Sequence, residues 1–303
     1  MAAKPVRPVA TLLALACVVL AACQAGPGPG KGAQRSAPED CSPPPLQRAD
    51  FPQLPRIDNR FRPLTPGMQF QLDGVVVGVD GVRHPHRIET TVTELTKRID
   101  GVNTLAVFER DFHDGRITES ELAFMAQDNH GAVWNLGEYP EVYDGDTLLG
   151  APSAWLSGVG GARPGIELPG TPRVGDAAFA EGVAPNVNFK DCAFVFQTGQ
   201  RVCVGEDCHD GVLVVDEFAP ASKKEGHQRK FYAPGLGTVK VAAAGGVDAE
   251  ELQLTRAAKL CRGEFIELQA AALAQDARAF QVAKDVYAGY PAAKQTLTAQ
   301  LCG

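Results

Sequence analysis

Long apolar runs and clusters of positive charge are both scarce in this sequence. The run at residues 9–22 has fourteen residues, which is too few to cross a bilayer core of about 30 Å as a helix. The formal net charge is −7 at pH 7. Nucleic acid and anionic lipid surfaces are bound through clustered Lys and Arg side chains. The composition therefore predicts no nucleic-acid partner and no electrostatic docking on anionic lipid.

Local catalytic motifs are also missing. The chain has no G-x-S-x-G nucleophile elbow and no Gly-rich phosphate loop between a strand and a helix, so we predict no catalytic residue and no cofactor. One acidic cluster lies among aromatic residues around a predicted loop at 139–147: Glu138, Glu141, Asp144 and Asp146. Paired carboxylates suit sugar hydrolysis only at the required separation across a cleft, which sequence spacing does not fix. We interpret the cluster as a solvated acidic loop.

Metal-ligand patterns are incomplete wherever they occur. Residues 111–122 resemble an EF-hand loop only in part, because Arg110 and Phe112 would occupy the first and third ligand positions and neither supplies an oxygen ligand. His84 and His86 alternate on an extended segment, so both side chains can point toward one ion. Without a third ligand in the sequence nearby, we interpret them as surface histidines and predict no metal site.

The amino-terminal segment predicts export. Lys4 and Arg7 precede the apolar run, as in secretory signal peptides. The run ends in Leu20-Ala21-Ala22-Cys23, which resembles a bacterial lipobox. In such signals the cysteine is alkylated by diacylglycerol, carries fatty acids such as palmitate and becomes the first residue after cleavage. We therefore predict a lipid anchor at Cys23 that holds the protein on the extracytoplasmic face of the cell membrane. Cleavage at a nearby small-residue site, without lipid, is the alternative.

Cysteine usage fits an oxidising compartment. Six cysteines remain once Cys17 leaves with the signal and Cys23 is lipidated, and six permit fifteen connectivities. A half zinc site at the Cys203 and Cys208 pair is one interpretation, but no second ligand pair lies at zinc spacing. We instead predict three disulfides, the last of them by elimination: Cys203–Cys208, Cys261–Cys302 and Cys41–Cys192.

Strand and turn signals dominate the middle of the chain. Residues 88–138 form alternating segments rich in Val, Thr, Leu and Phe, separated by turns at Asp100-Gly101, Asp114-Gly115 and residues 129–131. Asp-Gly between alternating runs is a strong hairpin signal, so we predict a four-stranded antiparallel meander. Residues 157–176 are dense in Gly and Pro, which predicts a surface loop. Residues 251–260 are predicted to be the returning strand of a hairpin.

Composition divides the chain into four segments: a lipoprotein signal peptide at 1–22, a Gly/Pro/Ser-rich tether at 23–59, an antiparallel β domain at 60–260 and a C-terminal helical hairpin at 261–303 packed on that domain. Phe265, Leu268 and Ala272 have helical spacing, and Pro291 suits the first turn of a second helix. The predicted fold is mainly β, α+β overall, with an antiparallel meander sheet that is either curved or part of a sandwich.

Several segments together resemble an uncharacterised group of extracytoplasmic bacterial lipoproteins with a β-rich domain. The segments include Pro63-Leu64-Thr65-Pro66-Gly67, Val133-Trp134 and residues 232–239 (YAPGLGTV). The resemblance covers about residues 60–260 and implies a single antiparallel β-rich domain. It brings no catalytic residues to this chain. The helical tail after Cys261 and the Cys203–Cys208 pair depart from the pattern of the group.

Function is predicted only at the level of a class. Tyr and Trp give large contact areas with few rotatable bonds, so we predict a ligand-binding face at Trp134, Tyr139, Tyr143 and Trp155, although Trp134 would fill the core if it alternates inward. The protein would then be a membrane-anchored extracytoplasmic lipoprotein that acts as a non-catalytic binding or scaffold module for an unknown small molecule or protein. The alternative is an extracytoplasmic hydrolase whose site is assembled from distant residues.

Overall fold

Strands make up most of the secondary structure in the computed structural model, which describes residues 38, 40–78, 81–222, 226–246 and 249–302. The first eight strands are β1 (Ile57–Asn59), β2 (Arg62–Leu64), β3 (Met68–Val77), β4 (Arg83–Ile99), β5 (Val102–His113), β6 (Arg116–Gln127), β7 (Val133–Asp144) and β8 (Thr147–Gly150). Eight more follow: β9 (Trp155–Leu156), β10 (Arg163–Leu168), β11 (Phe179–Ala184), β12 (Phe189–Val204), β13 (Asp207–Phe218), β14 (His227–Ala233), β15 (Gly237–Ala244) and β16 (Ala249–Lys259). The chain then forms α1 (Arg262–Val282), α2 (Lys284–Tyr287) and β17 (Lys294–Gln295).

Tight turns join the central strands. Asp100 and Gly101 connect β4 to β5, Asp114 and Gly115 connect β5 to β6, and φ at these four residues lies between 46° and 82°. Positive φ at both central residues is what a two-residue type I′ hairpin needs, and Asp followed by Gly tolerates it. Pairing is antiparallel from β4 to β7, which confirms the predicted meander. The predicted returning strand at 251–260 is also confirmed, as β16.

The sheet closes on itself, which corrects the prediction of a curved sheet or a sandwich. Twelve strands follow the order β10-β11-β12-β13-β14-β15-β16-β3-β4-β5-β6-β7, and β7 pairs back with β10 to complete a barrel. Strand β10 lies inside the predicted surface loop at 157–176. A Cβ on Gly165 would lie 2.2 Å from the carbonyl oxygen of Ala180 on β11. Glycine is therefore required where β10 packs on β11, and its presence does not mark a loop here.

Apolar side chains from opposite walls meet inside the closed sheet. This inner core includes Val107 on β5, Val195 on β12 and Val215 on β13. Strands on different sides of a sheet can share one cluster only if the sheet encloses it. The β1–β2 hairpin adds Ile57 and Leu64 to the same cluster, so it fills one part of the interior. Ile57 belongs to the predicted tether at 23–59, and the ordered fold therefore begins before residue 60.

Helix α1 lies against the outer surface of β4 and β6. Its buried side chains recur at helical spacing and join an outer core: Phe265, Leu268, Ala272 and Ala279. A buried ion pair fixes the helix to the sheet, because Nζ of Lys97 lies 2.9 Å from Oδ1 of Asp276. Removing one partner of such a pair leaves an uncompensated charge in the interior. The described residues contain no helix that is long and apolar enough to cross a membrane.

The predicted C-terminal helical hairpin is wrong in its second half. Helix α2 is a single turn that ends before Pro291, and the chain beyond it pairs with β4 as the short strand β17. The backbone N–H groups of Thr296 and Leu297 donate to the carbonyl oxygen of Glu94, at 3.1 and 3.2 Å. Because these donors bond to the sheet, they do not form the internal bonds of a second helix.

Three disulfides hold the described part of the chain together. They are the predicted pairs, with Cα separations of 5.7, 4.0 and 4.7 Å respectively: Cys41–Cys192, Cys203–Cys208 and Cys261–Cys302. The first ties residue 41 to β12, and the third joins the start of α1 to the end of the chain. The predicted signal peptide and the lipidation site Cys23 lie outside the described residues.

Candidate ligand-binding cavity

Strand alternation points a set of carboxyl groups into the closed sheet. On β5, Glu109 continues the face of Val107, which belongs to the inner core. On β13, Glu217 continues the face of Val215 in the same way. Side chains two residues apart on a strand share a face. One part of the interior is therefore apolar, and the adjoining part is acidic.

The acidic part is built from one carboxyl group on each of seven neighbouring strands. Going round the sheet from β5 to β13, they are Glu109, Glu121, Glu138, Glu167, Glu181, Asp191 and Glu217. We call this set the acidic ring. Two cationic side chains face it: Arg62 from β2 and Lys230 from β14. Carboxylates thus outnumber cations in a region that is largely closed to bulk water.

Two cavities occupy this region. The deep cavity has a volume of about 250 Å³, and its walls include Arg62, Glu109, Glu167 and Lys230. The mouth cavity has a volume of about 400 Å³. It lies where β13 ends and β14 begins, and Phe218 is one of its lining residues. Gln228 and Glu250 line both, and Gln228 donates a hydrogen bond to Glu250. The two cavities are therefore neighbours that share a wall formed by this hydrogen-bonded pair.

The two cations already have carboxylate neighbours. Nζ of Lys230 lies 2.7 Å from Oε2 of Glu217. Nε of Arg62 lies 3.4 Å from Oε1 of Glu167. The hydroxyl of Thr90 donates to Glu109 at 2.7 Å. These contacts satisfy part of the acidic ring. Lys230 is paired closely with Glu217, whereas Nε of Arg62 has only its ion pair with Glu167 and no hydrogen-bond partner among the described residues.

Other carboxyl oxygens remain unsatisfied. In the described part of the chain, Oε1 of Glu181 and Oε1 of Glu217 are buried without a hydrogen-bond partner, and each residue is only 8% exposed. Glu109 and Glu121 are direct cross-strand partners on β5 and β6, and like charges placed opposite each other destabilise a sheet. An arrangement of this kind favours a proton or a cation in the cavity.

Burial raises the pKa of five carboxyl groups of the acidic ring: Glu109, Glu121, Glu138, Glu181 and Glu217. Burial, followed by repulsion from Glu138 and Glu109, raises the pKa of Glu121 well above its usual value. Burial also raises the pKa of Glu138 to about 7, although hydrogen bonds from Trp155 and Asn135 oppose the shift. Some of these carboxyl groups therefore exchange protons near neutral pH.

A group of histidines stands at the rim of the cavities. His86 on β4 and His113 at the end of β5 are direct cross-strand partners, with ring centroids 4.3 Å apart. Asp111 lies between them, its Oδ1 being 2.8 Å from Nε2 of His86 and 3.3 Å from Nε2 of His113. Oε1 of Glu250 lies 2.9 Å from Nδ1 of His86. We call His86, Asp111 and His113 the rim cluster.

The interpretation of His84 and His86 as surface histidines is wrong for His86. His86 is 5% exposed. Burial lowers the pKa of His86, but the hydrogen bond to Asp111 and the nearby carboxylate of Glu250 outweigh that effect and raise it to about 9. The side chain of His84 is 40% exposed and pairs with Asp114 at 3.0 Å. His86 instead lies close to Asp111 and His113 on β5, a group that does not include His84.

The four predicted ligand-binding aromatics do not form an exposed face. Trp134, Tyr139 and Trp155 are 6%, 0% and 2% exposed, and Tyr143 is partly buried. Trp134 donates to Asp128, and Trp155 donates to Glu138 of the acidic ring at 3.0 Å. Buried Trp and Tyr side chains need such partners for their polar atoms. These four residues pack the wall of the protein, and their role in ligand binding stays a prediction.

The predicted acidic loop at 139–147 is the end of β7, a turn at 145–146 and the first residue of β8, and Asp144 and Asp146 are exposed there. The strand part has two different faces. Glu138 points into the acidic ring, whereas Glu141 lies under α1 and accepts two hydrogen bonds from Arg278, at 3.0 and 2.6 Å. Tyr139 and Tyr143 donate to the same carboxylate. Glu141 is therefore fully satisfied and structural. It cannot act together with Glu138 across a cleft, because the sheet separates them.

Most members of the acidic ring were not predicted from the sequence. A usable signal was present, however: Glu109 and Glu217 each fall on the apolar face of an alternating strand. A charged residue at a core position is unusual in a packed interior. Such a position indicates either a satisfied ion pair or a polar cavity, and several of them together indicate a cavity.

Comparisons with known proteins place the chain only loosely. No protein-family model matches it, and no curated protein matches it. One similar solved structure is a candidate lipoprotein of Parabacteroides distasonis, with 11% identity and a TM-score of 0.35 over 66% of this chain and 99% of that one. Another is a candidate exported protein with a YmcC-like fold from Bacteroides fragilis, with 12% identity and a TM-score of 0.35 over 66% of this chain and 100% of that one.

Proposed function

We propose that the protein is a non-catalytic binding protein that holds a small organic cation, an amine or guanidinium with a short apolar body, inside its closed sheet. The observation that carries this proposal is the acidic ring, in which carboxyl groups outnumber cations and two buried oxygens, on Glu181 and Glu217, lack a hydrogen-bond partner among the described residues. The proposal moves the binding site from the predicted aromatic face to the interior.

Charge favours a cationic ligand over an anionic one. An ionised carboxylate buried without a partner costs several kcal/mol, so such groups bind a proton or a cation. Arg62 and Lys230 could attract an anion, but Glu167 and Glu217 already lie against them. An ammonium or guanidinium group that enters the ring would instead meet the free oxygens of Glu181 and Glu217.

Size and wall chemistry favour an organic ligand with an apolar part. Volumes of about 250 and 400 Å³ are near the lower end of small-molecule sites, which hold roughly 300–1,000 Å³. The deep cavity also has an apolar wall, which includes Phe70, Leu72 and Ile88. A short alkyl or aromatic body would cover that wall while its charged end lies against the carboxylates.

The lipid anchor is part of the same proposal. The lipobox ending at Cys23 and the three disulfides both fit an extracytoplasmic protein tethered to the cell membrane. We expect mass spectrometry of the mature amino terminus to show a diacylated Cys23 as the first residue. An unmodified Cys23, or a mature protein that starts elsewhere, would remove the anchor from the account.

A hydrolase remains the second candidate. Glu138 and Glu217 both have a pKa raised to about 7 by burial, so at neutral pH one carboxyl group can be protonated while a neighbour is ionised, as acid–base catalysis requires. Release of nitrophenol from a panel of nitrophenyl glycosides and esters tests this candidate. Turnover that disappears in Glu138→Gln would support the hydrolase over the binding protein.

The test of the binding proposal uses three ligands that share one six-carbon body. Hexylamine, 1-hexanol and hexanoate are added in turn to the full-length chain in detergent at pH 8, and the shift in melting temperature is recorded. A ligand that binds the folded state stabilises it in proportion to the logarithm of its concentration over Kd. We expect hexylamine to raise the melting temperature and the other two to have little effect.

Two variants locate the effect. Glu181→Gln removes a carboxylate that makes no hydrogen bond at its buried oxygen, and we expect it to reduce the hexylamine shift by at least half. Glu206→Gln, at an exposed position in the β12–β13 turn, is the matched control and should keep the full shift. Stabilisation by hexanoate instead, or an equal hexylamine shift in both variants, would contradict the proposal.

A further inference from the structure

We propose that the rim cluster, completed by Glu119, is a site for a single divalent transition-metal ion, with zinc as the best match. This site is separate from the acidic ring, and it stands or falls independently of the organic ligand proposed above. Three donors already lie together, two imidazole nitrogens and one carboxylate from β4 and β5. Glu119 on β6 is proposed as the fourth.

The three rim residues already lie at the spacing that a metal ion needs. His86 and His113 are opposite each other on β4 and β5, and Asp111 shares the face of His113 two residues earlier. The Nε2 atoms of the histidines lie 2.8 and 3.3 Å from the same carboxylate oxygen. Ligand atoms around a tetrahedral zinc ion with bonds of about 2.0–2.1 Å are separated by about 3.3 Å. Only small side-chain movements would be needed to place an ion among them.

A fourth donor stands opposite the third. Glu119 on β6 is the direct cross-strand partner of Asp111. The structure shows no hydrogen bond or ion pair to Glu119 within the ranges that it describes, and its side chain is only partly exposed. Two like charges in this position destabilise the sheet. A divalent cation bound by Asp111 and Glu119 would convert that repulsion into attraction.

The outer surroundings of the site also fit a metal. Oε1 of Glu250 lies 2.9 Å from Nδ1 of His86, the nitrogen that faces away from Asp111. Metal-bound histidines commonly donate their second N–H group to a carboxylate, which orients the ring and fixes its tautomer. The side chains of Asp111 and His113 are 25% and 38% exposed, so an ion can enter from solvent.

The donor set selects among ions. Calcium and magnesium prefer sites made of oxygen atoms, whereas imidazole nitrogens suit zinc, copper, nickel and iron. Two imidazoles and one or two carboxylates form a ligand set that suits zinc, which is bound by His nitrogen and carboxylate oxygen in tetrahedral sites. The competing explanation is a purely structural pair between a protonated His86 and its two carboxylates.

The test is a zinc titration of the full-length chain after treatment with a chelator. Isothermal titration calorimetry with zinc chloride, checked by metal analysis after dialysis, should give one ion per chain, and calcium at the same concentration should give none. Cobalt(II) replaces zinc in many sites, and visible d–d absorption of a four-coordinate ion would report the geometry directly.

Two histidine variants of equal exposure separate a site from surface binding. The side chain of His113 is 38% exposed and that of His84 is 40% exposed, so both should tolerate replacement by alanine. We expect His113→Ala to weaken zinc binding by about 100-fold or more and His84→Ala to leave it within about twofold of the original.

Four outcomes would overturn the inference: no stoichiometric zinc in the unchanged chain, equal binding of calcium, an unchanged affinity in His113→Ala, or an equal loss in both histidine variants. The variant Glu181→Gln lies outside the rim cluster and should keep full zinc affinity. It therefore distinguishes failure of the metal site from failure of the organic-ligand site.

Discussion

Replacing Glu138 by glutamine should flatten the pH dependence of stability. Burial raises the pKa of Glu138 from 4.5 to about 7 in the folded protein. Between those values the folded state binds more protons than the unfolded state, so the free energy of unfolding must fall as pH rises through this window. Glutamine does not titrate and keeps one oxygen to accept the hydrogen bond that Trp155 donates at 3.0 Å, although it cannot also replace the second oxygen, which accepts from Asn135. The variant should therefore lose less stability than the original chain between pH 4.5 and pH 7.

The size of the effect follows from the shift. A difference of about 2.5 pKa units corresponds to about 3 kcal/mol, and this is an upper limit because the side chain keeps partial contact with solvent. Urea unfolding at half-unit steps from pH 4.5 to pH 8 measures it, with the exposed Glu206→Gln as control. Parallel curves for Glu138→Gln and the original chain would refute the reasoning, as would stability that rises with pH through this window.

Three further substitutions test an ion pair, a disulfide and a strand contact that hold the fold together. Lys97→Met leaves Asp276 as an unpaired charge under α1 and should destabilise the protein by about 3–5 kcal/mol in urea unfolding; a loss below about 1 kcal/mol would show that water reaches the pair. Cys302→Ser opens a loop of 41 residues and should cost about 4 kcal/mol, whereas an unchanged melting temperature would mean that the bond constrains little. Gly165→Ala places a Cβ against β11 and should cost about 1–3 kcal/mol, with faster amide exchange on β10; uniform protection would contradict the close packing of β10 on β11.

Local structure was predictable where short-range chemistry decides it. Asp100 and Asp114 precede glycines in turns whose geometry depends on those two residues alone, and both hairpins were predicted from that pattern. The disulfide around α1 followed from compartment and spacing. Closure of the sheet did not follow, because β10 pairs with β7 and β11 from within a Gly- and Pro-rich segment, where Gly165 permits close packing on β11. In the sequence, a glycine that permits close packing looks the same as a glycine in a loop.

The candidate site was predicted least well, for a related reason. Each member of the acidic ring occupies a separate strand, and no two of them form a recognisable motif. His86 and His113 become partners only through the register of β4 and β5. Trp155 was expected on an exposed face. It is buried instead, and it donates a hydrogen bond to Glu138. Sites assembled across a sheet require the register, which the sequence alone does not state.

The most direct test of the central claim is a crystal structure of the chain with hexylamine bound at pH 8. The account predicts the amine nitrogen inside the acidic ring, about 3 Å from Oε1 of Glu181 and Oε1 of Glu217, with the alkyl chain against Phe70 and Leu72. An amine found only on the outer surface, or a ring whose carboxyl groups bond to one another and leave no room for it, would contradict the claim.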